Sequence, residues 1–206
     1  MHTEIFDKHQ AELIPFLKAF QRSFYLVGGT AIALHLGHRR SIDFDLFSPS
    51  PLVKYRIKAK LLTIPFVQVP VFEDYDQLHL FINQVKVTFF HFPYPVLHPL
   101  SVDSMITLPD LLSLASMKAF ALGRRAKWKD YVDLYFILKY HFTITEICVQ
   151  AEKYFGSQFS GKLFREQLTF HKDIDHSEPV EYLIPAVSGD EIKQFLIDKA
   201  TDIDLF

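Results

Sequence analysis

The chain has 206 residues, 49% of them apolar and 21 of them Phe, enough for one dense core with a helical appendage and too aromatic for a disordered polymer. Charge is nearly balanced, 22 basic against 24 acidic residues, so no strongly charged partner is implied by the chain as a whole. A single cysteine, Cys148, excludes an intrachain disulfide framework and a zinc ribbon, and no apolar run reaches the ~20 residues that a membrane span needs.

The first residues, MHTEIFDKHQAEL, lack the apolar centre of a signal peptide, and the expectation is a cytoplasmic protein that does not enter a membrane. The charges are unevenly spread. Residues 1–139 hold 16 basic and 12 acidic side chains, whereas 140–206 hold 6 and 12, which reads as a solvated acidic surface.

In chain order, Ile5, Leu13, Phe16, Leu17 and Phe20 recur at helical spacing, with Pro15 as a break. Residues 24–27 form an apolar run that ends at Gly28-Gly29, the pattern of a buried strand. The spacing predicts a helix over 30–36 with Gly37 at its C-terminal cap, then a strand over 42–47 where apolar and acidic residues alternate. A helix is expected over 54–62 and strands over 66–71, 78–82 and 85–92, with Asn83-Gln84 as the hairpin turn between the last two. The Pro-rich FPYPVLHPL marks the exit from the sheet. From 108 onward the pattern turns helical, with LPDLLSLASMKAFAL and KWKDYVDLYFILKY separated at Gly123. The expectation is an α+β domain over 1–98 around a small mixed sheet, then a helical domain over 99–206.

Two features carry chemistry. A Gly-Gly pair where a strand enters a helix lets a phosphate approach the backbone with no Cβ in the way, and the first amides of the helix, at Thr30 and Ala31, offer donors and a positive dipole end. Alone, such a pair is equally a tight turn. Asp43 and Asp45, at i and i+2 of a strand, point to one face. Two like charges so close call for a cation, and hard oxygen donors favour Mg²⁺ completed by substrate phosphates. Alone, Asp-x-Asp also suits a solvated edge strand. Together, one short helix apart, the two features describe phosphate-binding amides beside metal-binding carboxylates.

Further candidates stand outside this pair. Lys118 has Leu114, Ala115, Ala119 and Leu122 around it, so a lysine there needs an anion. Asp130 and Asp133, at i and i+3, share a helical face. Arg39 and Arg40 precede the aspartates and would pair with them or with a phosphate. Arg124, Arg125, Lys127 and Lys129 make a basic cluster around Trp128, suited to an RNA backbone or to a helix junction.

The string LVGGTAIALHLGHRRSIDFDLF resembles the AbiEii/AbiGii toxin family within the polymerase-beta type of nucleotidyltransferase fold. LPDLLSLASMKAFALGRRAKWKDYVDLYFIL is similar to that family's later blocks, in the same order, so the resemblance runs with interruptions over 26–138. It implies an Mg²⁺-dependent transfer of a nucleoside monophosphate from a nucleoside triphosphate to a hydroxyl, on an RNA end such as a tRNA or on a protein. It implies a toxin with a cognate antitoxin as partner. By the same resemblance Asp43 and Asp45 hold the metal, and Gly28, Gly29, Thr30, Arg40 and Asp133 belong to the nucleotide site. Lys118 reaches the phosphates, and Asp130 acts as a base or as the partner of Lys118.

One departure from the pattern stands out. Polymerase-like relatives often carry a third carboxylate on the next core strand, here QVKVTFFHF, where Thr88 or Phe90 stands instead. That leaves room for a silent nucleotide- or RNA-binding module on the same fold. A glycosyltransferase using Asp-x-Asp on a nucleotide sugar is a further alternative, disfavoured by the nearness of the Gly-Gly unit and by the short chain.

Overall fold

The computed structural model describes residues 1–202 and divides into two compact units, Met1–Asp110 and the part that starts at Leu111. The division falls later than the 98/99 boundary suggested by the Pro-rich segment. The reason is a small hairpin that the sequence pattern does not announce, β6 (Leu100–Val102) with β7 (Ile106–Leu108). Its buried Val102, Ile106 and Leu108 belong to the first unit, where β7 lies against β1.

The first unit opens with a 3₁₀ turn (Thr3–Ile5) and α1 (Lys8–Leu13), which starts at a capping box between Asp7 and Gln10. Pro15 does not end the helical course; it stands in the first turn of a 3₁₀ segment, Ile14–Phe20. There its missing N–H costs nothing. Strand β1 (Tyr25–Val27) runs into α2 (Gly28–Leu36), which ends at Gly37 in the left-handed region, φ 63°. After β2 (Phe44–Ser48) and α3 (Lys54–Leu61) come β3 (Gln68–Glu73), β4 (Gln77–Ile82) and β5 (Val85–His91). The β4–β5 turn has φ 51° at Asn83 and 66° at Gln84, the two positive values that a tight two-residue hairpin requires.

These strands form one mixed sheet in the order β1-β2-β5-β4-β3, with β2 parallel to β5 and every other neighbour antiparallel. The period of two sorts the side chains onto two faces. One face carries Leu26, Phe44, Leu46, Leu78, Leu80, Ile82, Val85, Val87 and Phe89, all buried. Phe20 and Phe24 close over it, with ring centres 4.9 and 5.1 Å from that of Phe89. Truncating one such ring to Ala costs about 3–5 kcal/mol in a packed core. The other face carries Asp45 and Phe47 from β2, Lys86, Thr88 and Phe90 from β5, and Gln77 and His79 from β4, most of them only partly buried.

The second unit is helical: α4 (Leu111–Leu122), α5 (Trp128–Tyr140), α6 (Ile144–Phe155), α7 (Gly161–Thr169) and α8 (Gly189–Thr201). α4 and α5 are buried on nearly all sides, as their lack of a clear polar stripe requires. α6 starts at a Thr143–Glu146 capping box, and Phe120 stacks on Phe155 at 3.9 Å between ring centres. No helix among the described residues is long and apolar enough to cross a membrane.

Candidate active site

The junction of β1 and α2 is built so that side chains crowd onto bare backbone. Gly28 has φ 71°, a conformation that L side chains rarely adopt. A Cβ there would overlap the Asp45 Oδ2 atom and stand 3.1 Å from its Cγ. A Cβ on Gly29 would come within 2.7 Å of Arg39 Nη2 and 2.9 Å of Ser41 Oγ. Gly28 is therefore favoured both by its backbone and by the approach of the second aspartate, whereas at Gly29 an arginine and a serine side chain would have to give way to a Cβ. Val27, the residue before the helix, supplies no side-chain cap, so the opening amides of α2 receive no bond from that position.

The segment 37–43 is tied down residue by residue. The Thr30 hydroxyl donates to the Asp43 carbonyl and, at 3.4 Å, to the Ser41 carbonyl. Gln10 Nε2 donates to the Ser41 carbonyl at 2.8 Å. Arg39, only 1% exposed, donates through Nη1 to the Arg40 carbonyl at 2.8 Å. Arg40 Nη1 donates to the carbonyls of Ile5 and Phe6 at 3.2 and 3.4 Å. The Thr30 hydroxyl and this end of Arg40 thus hold the loop that carries Asp43, a use that the sequence does not reveal.

Strand pairing sets what stands beside the carboxylates. Asp45 lies opposite Val27 on one side and Thr88 on the other, and Thr88 lies opposite His79. Asp43 and Lys86 are the residues just before the paired Phe44 and Val87. Of the two positions considered for a third carboxylate, Thr88 is the one in register with Asp45, and Phe90 pairs with Phe47. Among the described residues no group of three or more His, Cys, Asp or Glu is gathered for a metal. The donor set still fits a divalent cation. It offers two hard carboxylates, Asp45 in β2 and Asp43 just before it, and a cation that takes the rest of its shell from phosphate and water needs no more protein ligands.

The second unit gathers the other candidates. Lys118 Nζ lies 2.7 Å from Asp130 Oδ1 and 3.0 Å from Asp133 Oδ2. The three side chains are 5%, 3% and 0% exposed. Arg125 Nε meets the other oxygen of Asp130 at 3.2 Å. Both oxygens of Asp130 are thus engaged by cations. The cluster explains why an apolar helix carries Lys118: desolvating the ammonium is offset by two carboxylates one helical turn apart.

Part of the basic run around Trp128 is engaged within the helical unit. Lys127 and Lys129 meet the two oxygens of Glu178 at 2.6 and 3.2 Å, and Arg124 lies 3.6 Å from the ring centre of Phe120. The hydrogen bond from Lys127 holds the Glu178 carboxyl below its usual range, against a smaller upward push from burial. Tyr131, just beyond, is pushed up to about 12, first by burial and then by Asp173 and Asp130.

A strand-to-helix glycine pair, a carboxylate pair on the adjoining strand and a mixed five-stranded sheet define a nucleotidyltransferase fold. The family model described as "Nucleotidyl transferase AbiEii toxin, Type IV TA system" matches residues 16–204, and the chain belongs to that family. Among solved structures, MenT4, a nucleotidyltransferase toxin from Mycobacterium tuberculosis H37Rv, superposes with a TM-score of 0.62 at 14% identity, over 94% of this chain and 82% of that one. JHP933 from Helicobacter pylori superposes with a TM-score of 0.55 at 16% identity, over 93% and 88%. The uncharacterized protein aq_aa25 of Aquifex aeolicus (strain VF5) is 33% identical over 122 residues, 57% of this chain and 59% of that protein. The chain therefore aligns with less than two thirds of that relative.

Proposed function

We propose that the protein transfers a nucleoside monophosphate from a nucleoside triphosphate to a hydroxyl of an RNA end, such as a tRNA, or of a protein. The attacking oxygen forms a bond to the α-phosphorus, the bond to the β-phosphate oxygen breaks, and pyrophosphate leaves. The observation that carries this reading is the approach of the Asp45 carboxylate to Gly28, where a side chain would collide. A carboxylate so near the start of that helix supports the reading, because the opening amides of a helix suit phosphate oxygens.

In this reading Asp43 and Asp45 hold Mg²⁺, which when bound neutralises triphosphate charge and orients the α-phosphorus. Gly28, Gly29 and the Thr30 amide take phosphate oxygens, and the ties of Thr30, Gln10 and Arg40 keep the carboxylate segment in place. Lys118, Asp130 and Asp133 serve in this reading as a buried ion cluster of the helical unit. A cognate antitoxin is the partner expected of a toxin of this family.

The test is incubation with each α-³²P-labelled triphosphate, Mg²⁺ and a cell lysate, beside the Asp43→Ala/Asp45→Ala protein. Label on an RNA or protein band with the wild type alone supports the reading and shows the acceptor class. The Thr88 position motivates one alternative, a module that binds nucleotide without turning it over. Triphosphate binding that needs the aspartates, with no label moved and no pyrophosphate released, would favour it.

A further inference from the structure

The sheet face that carries Asp45 has a second polar group that no motif points to. Asp45, Thr88 and His79 stand in one row across β2, β5 and β4. With strands about 4.8 Å apart, the backbones of Asp45 and His79 are about 10 Å apart, and between them lies a short threonine. An aspartate or glutamate at Thr88 would stand in this gap. Thr88 offers a hydroxyl there and no group that takes up a proton at neutral pH.

His79 is held in a defined state. Its Nε2 lies 2.8 Å from Gln77 Oε1, and Gln77 Nε2 lies 3.2 Å from Asp74 Oδ2. The carboxylate can only accept, which orients the Gln77 amide with its oxygen toward the imidazole. An amide oxygen also only accepts, so Nε2 carries the ring proton and Nδ1 carries the lone pair. Phe72, in register with His79 on β3, meets the ring edge-on at 5.6 Å and 70°. The chain Asp74–Gln77–His79 thus does for this imidazole what a carboxylate does for a catalytic histidine: it fixes the tautomer and the orientation.

We infer that His79 is the proton acceptor for the attacking hydroxyl, in place of the third carboxylate missing at Thr88. As the oxygen–phosphorus bond forms and pyrophosphate departs, the hydroxyl proton passes to His79 Nδ1 and from the resulting imidazolium to water. Burial, and after it the charge of Lys86 on β5, lower the pKa of His79 from its usual value, while Asp74 raises it by less. Glu73 at the end of β3 is engaged by Lys58 at 2.8 Å. The ring is therefore neutral and able to accept at neutral pH.

This assignment rests on the transfer reaction proposed above, and its test separates the two. Single-turnover transfer by the wild type, followed against pH, is expected to rise with unit slope and level off below the ordinary histidine pKa of about 6.5. His79→Asn is expected to lose about 10²-fold in rate at pH 7.5 and to lose that acidic limb, with triphosphate affinity unchanged. Gln77→Leu, which frees the tautomer but keeps the base, is expected to keep the limb with a smaller loss. A His79→Asn protein that retains the limb, or that loses rate and triphosphate affinity together, overturns the role of His79 while leaving the transferase standing. A wild type that transfers nothing overturns both.

Discussion

Two aspartate pairs, nearly alike on paper, are used in opposite ways. Asp43 and Asp45 are two residues apart at the start of a strand, partly exposed, with bare glycine backbone against one of them. Asp130 and Asp133 are three apart on a helix, buried, and closed around one lysine. The first pair stands where solvent reaches it; the second is closed off from solvent around a lysine. What separates them is the period of the element: two on a strand, about three and a half on a helix, each bringing both carboxylates to one side. The chemistry then follows from burial. A desolvated pair must be matched inside the protein, whereas a partly exposed pair stays within reach of an incoming cation.

The largest expected effect tests the open pair. Asp43→Ala/Asp45→Ala is expected to lower the transfer rate by at least about 10³-fold. A variant that kept a tenth of the wild-type rate would take the metal role away from these residues. Next comes Gly28→Ala, which combines strain at positive φ with overlap of the Asp45 carboxylate. Its transfer rate should fall about 10²-fold, since small misplacements of a catalytic group cost that much. An active Gly28→Ala protein would mean that the close approach is incidental.

The closed pair should answer in stability instead. Asp133→Ala leaves Lys118 buried with one carboxylate, a loss of about 3 kcal/mol, or a fall in Tm of roughly 6–12 °C for a chain of this size. Lys118→Met, which removes the charge that Asp130 and Asp133 surround, should also lower the Tm, and simultaneous replacement of all three by apolar residues should recover part of it. Additive losses in the triple variant would show that the three residues do not act as a unit.

The smallest effect concerns Glu178, partly exposed between Lys127 and Lys129. Its carboxyl is lowered in the folded protein, so the stability it contributes is present above about pH 4.5 and is lost as pH falls through its folded value. Glu178→Gln should be less stable than the wild type near pH 7 by no more than about 1 kcal/mol, given its exposure, and equal to it near pH 3. A difference that persists at pH 3 would assign the effect to packing.

Much of this was legible from residue types and spacing. Gly28-Gly29 after an apolar run and Asp43-x-Asp45 after a short helix place the carboxylate segment beside the helix entrance without coordinates. Asp130 and Asp133 could be seen to share a face with a lysine nearby in need of anions. What the pattern hid depended on partners distant in the chain. Nothing in Thr30 or Arg40 says that they bind carbonyls of the carboxylate loop and of the first turn. Nothing in the Arg124–Lys129 run says that Glu178 will pair with two of its lysines. The β6–β7 hairpin escaped because three-residue strands are too short to show alternation. His79 escaped because its neighbours Thr88 and Asp45 lie on other strands, and only register brings the row together.

The measurement that bears most directly on the account is equilibrium binding of a non-hydrolysable nucleoside triphosphate, with and without Mg²⁺, to the wild type and to Asp45→Asn. The account predicts binding to the wild type that is strengthened by Mg²⁺, and an Asp45→Asn protein in which that strengthening is lost. Equal Mg²⁺ dependence in the two proteins would contradict it.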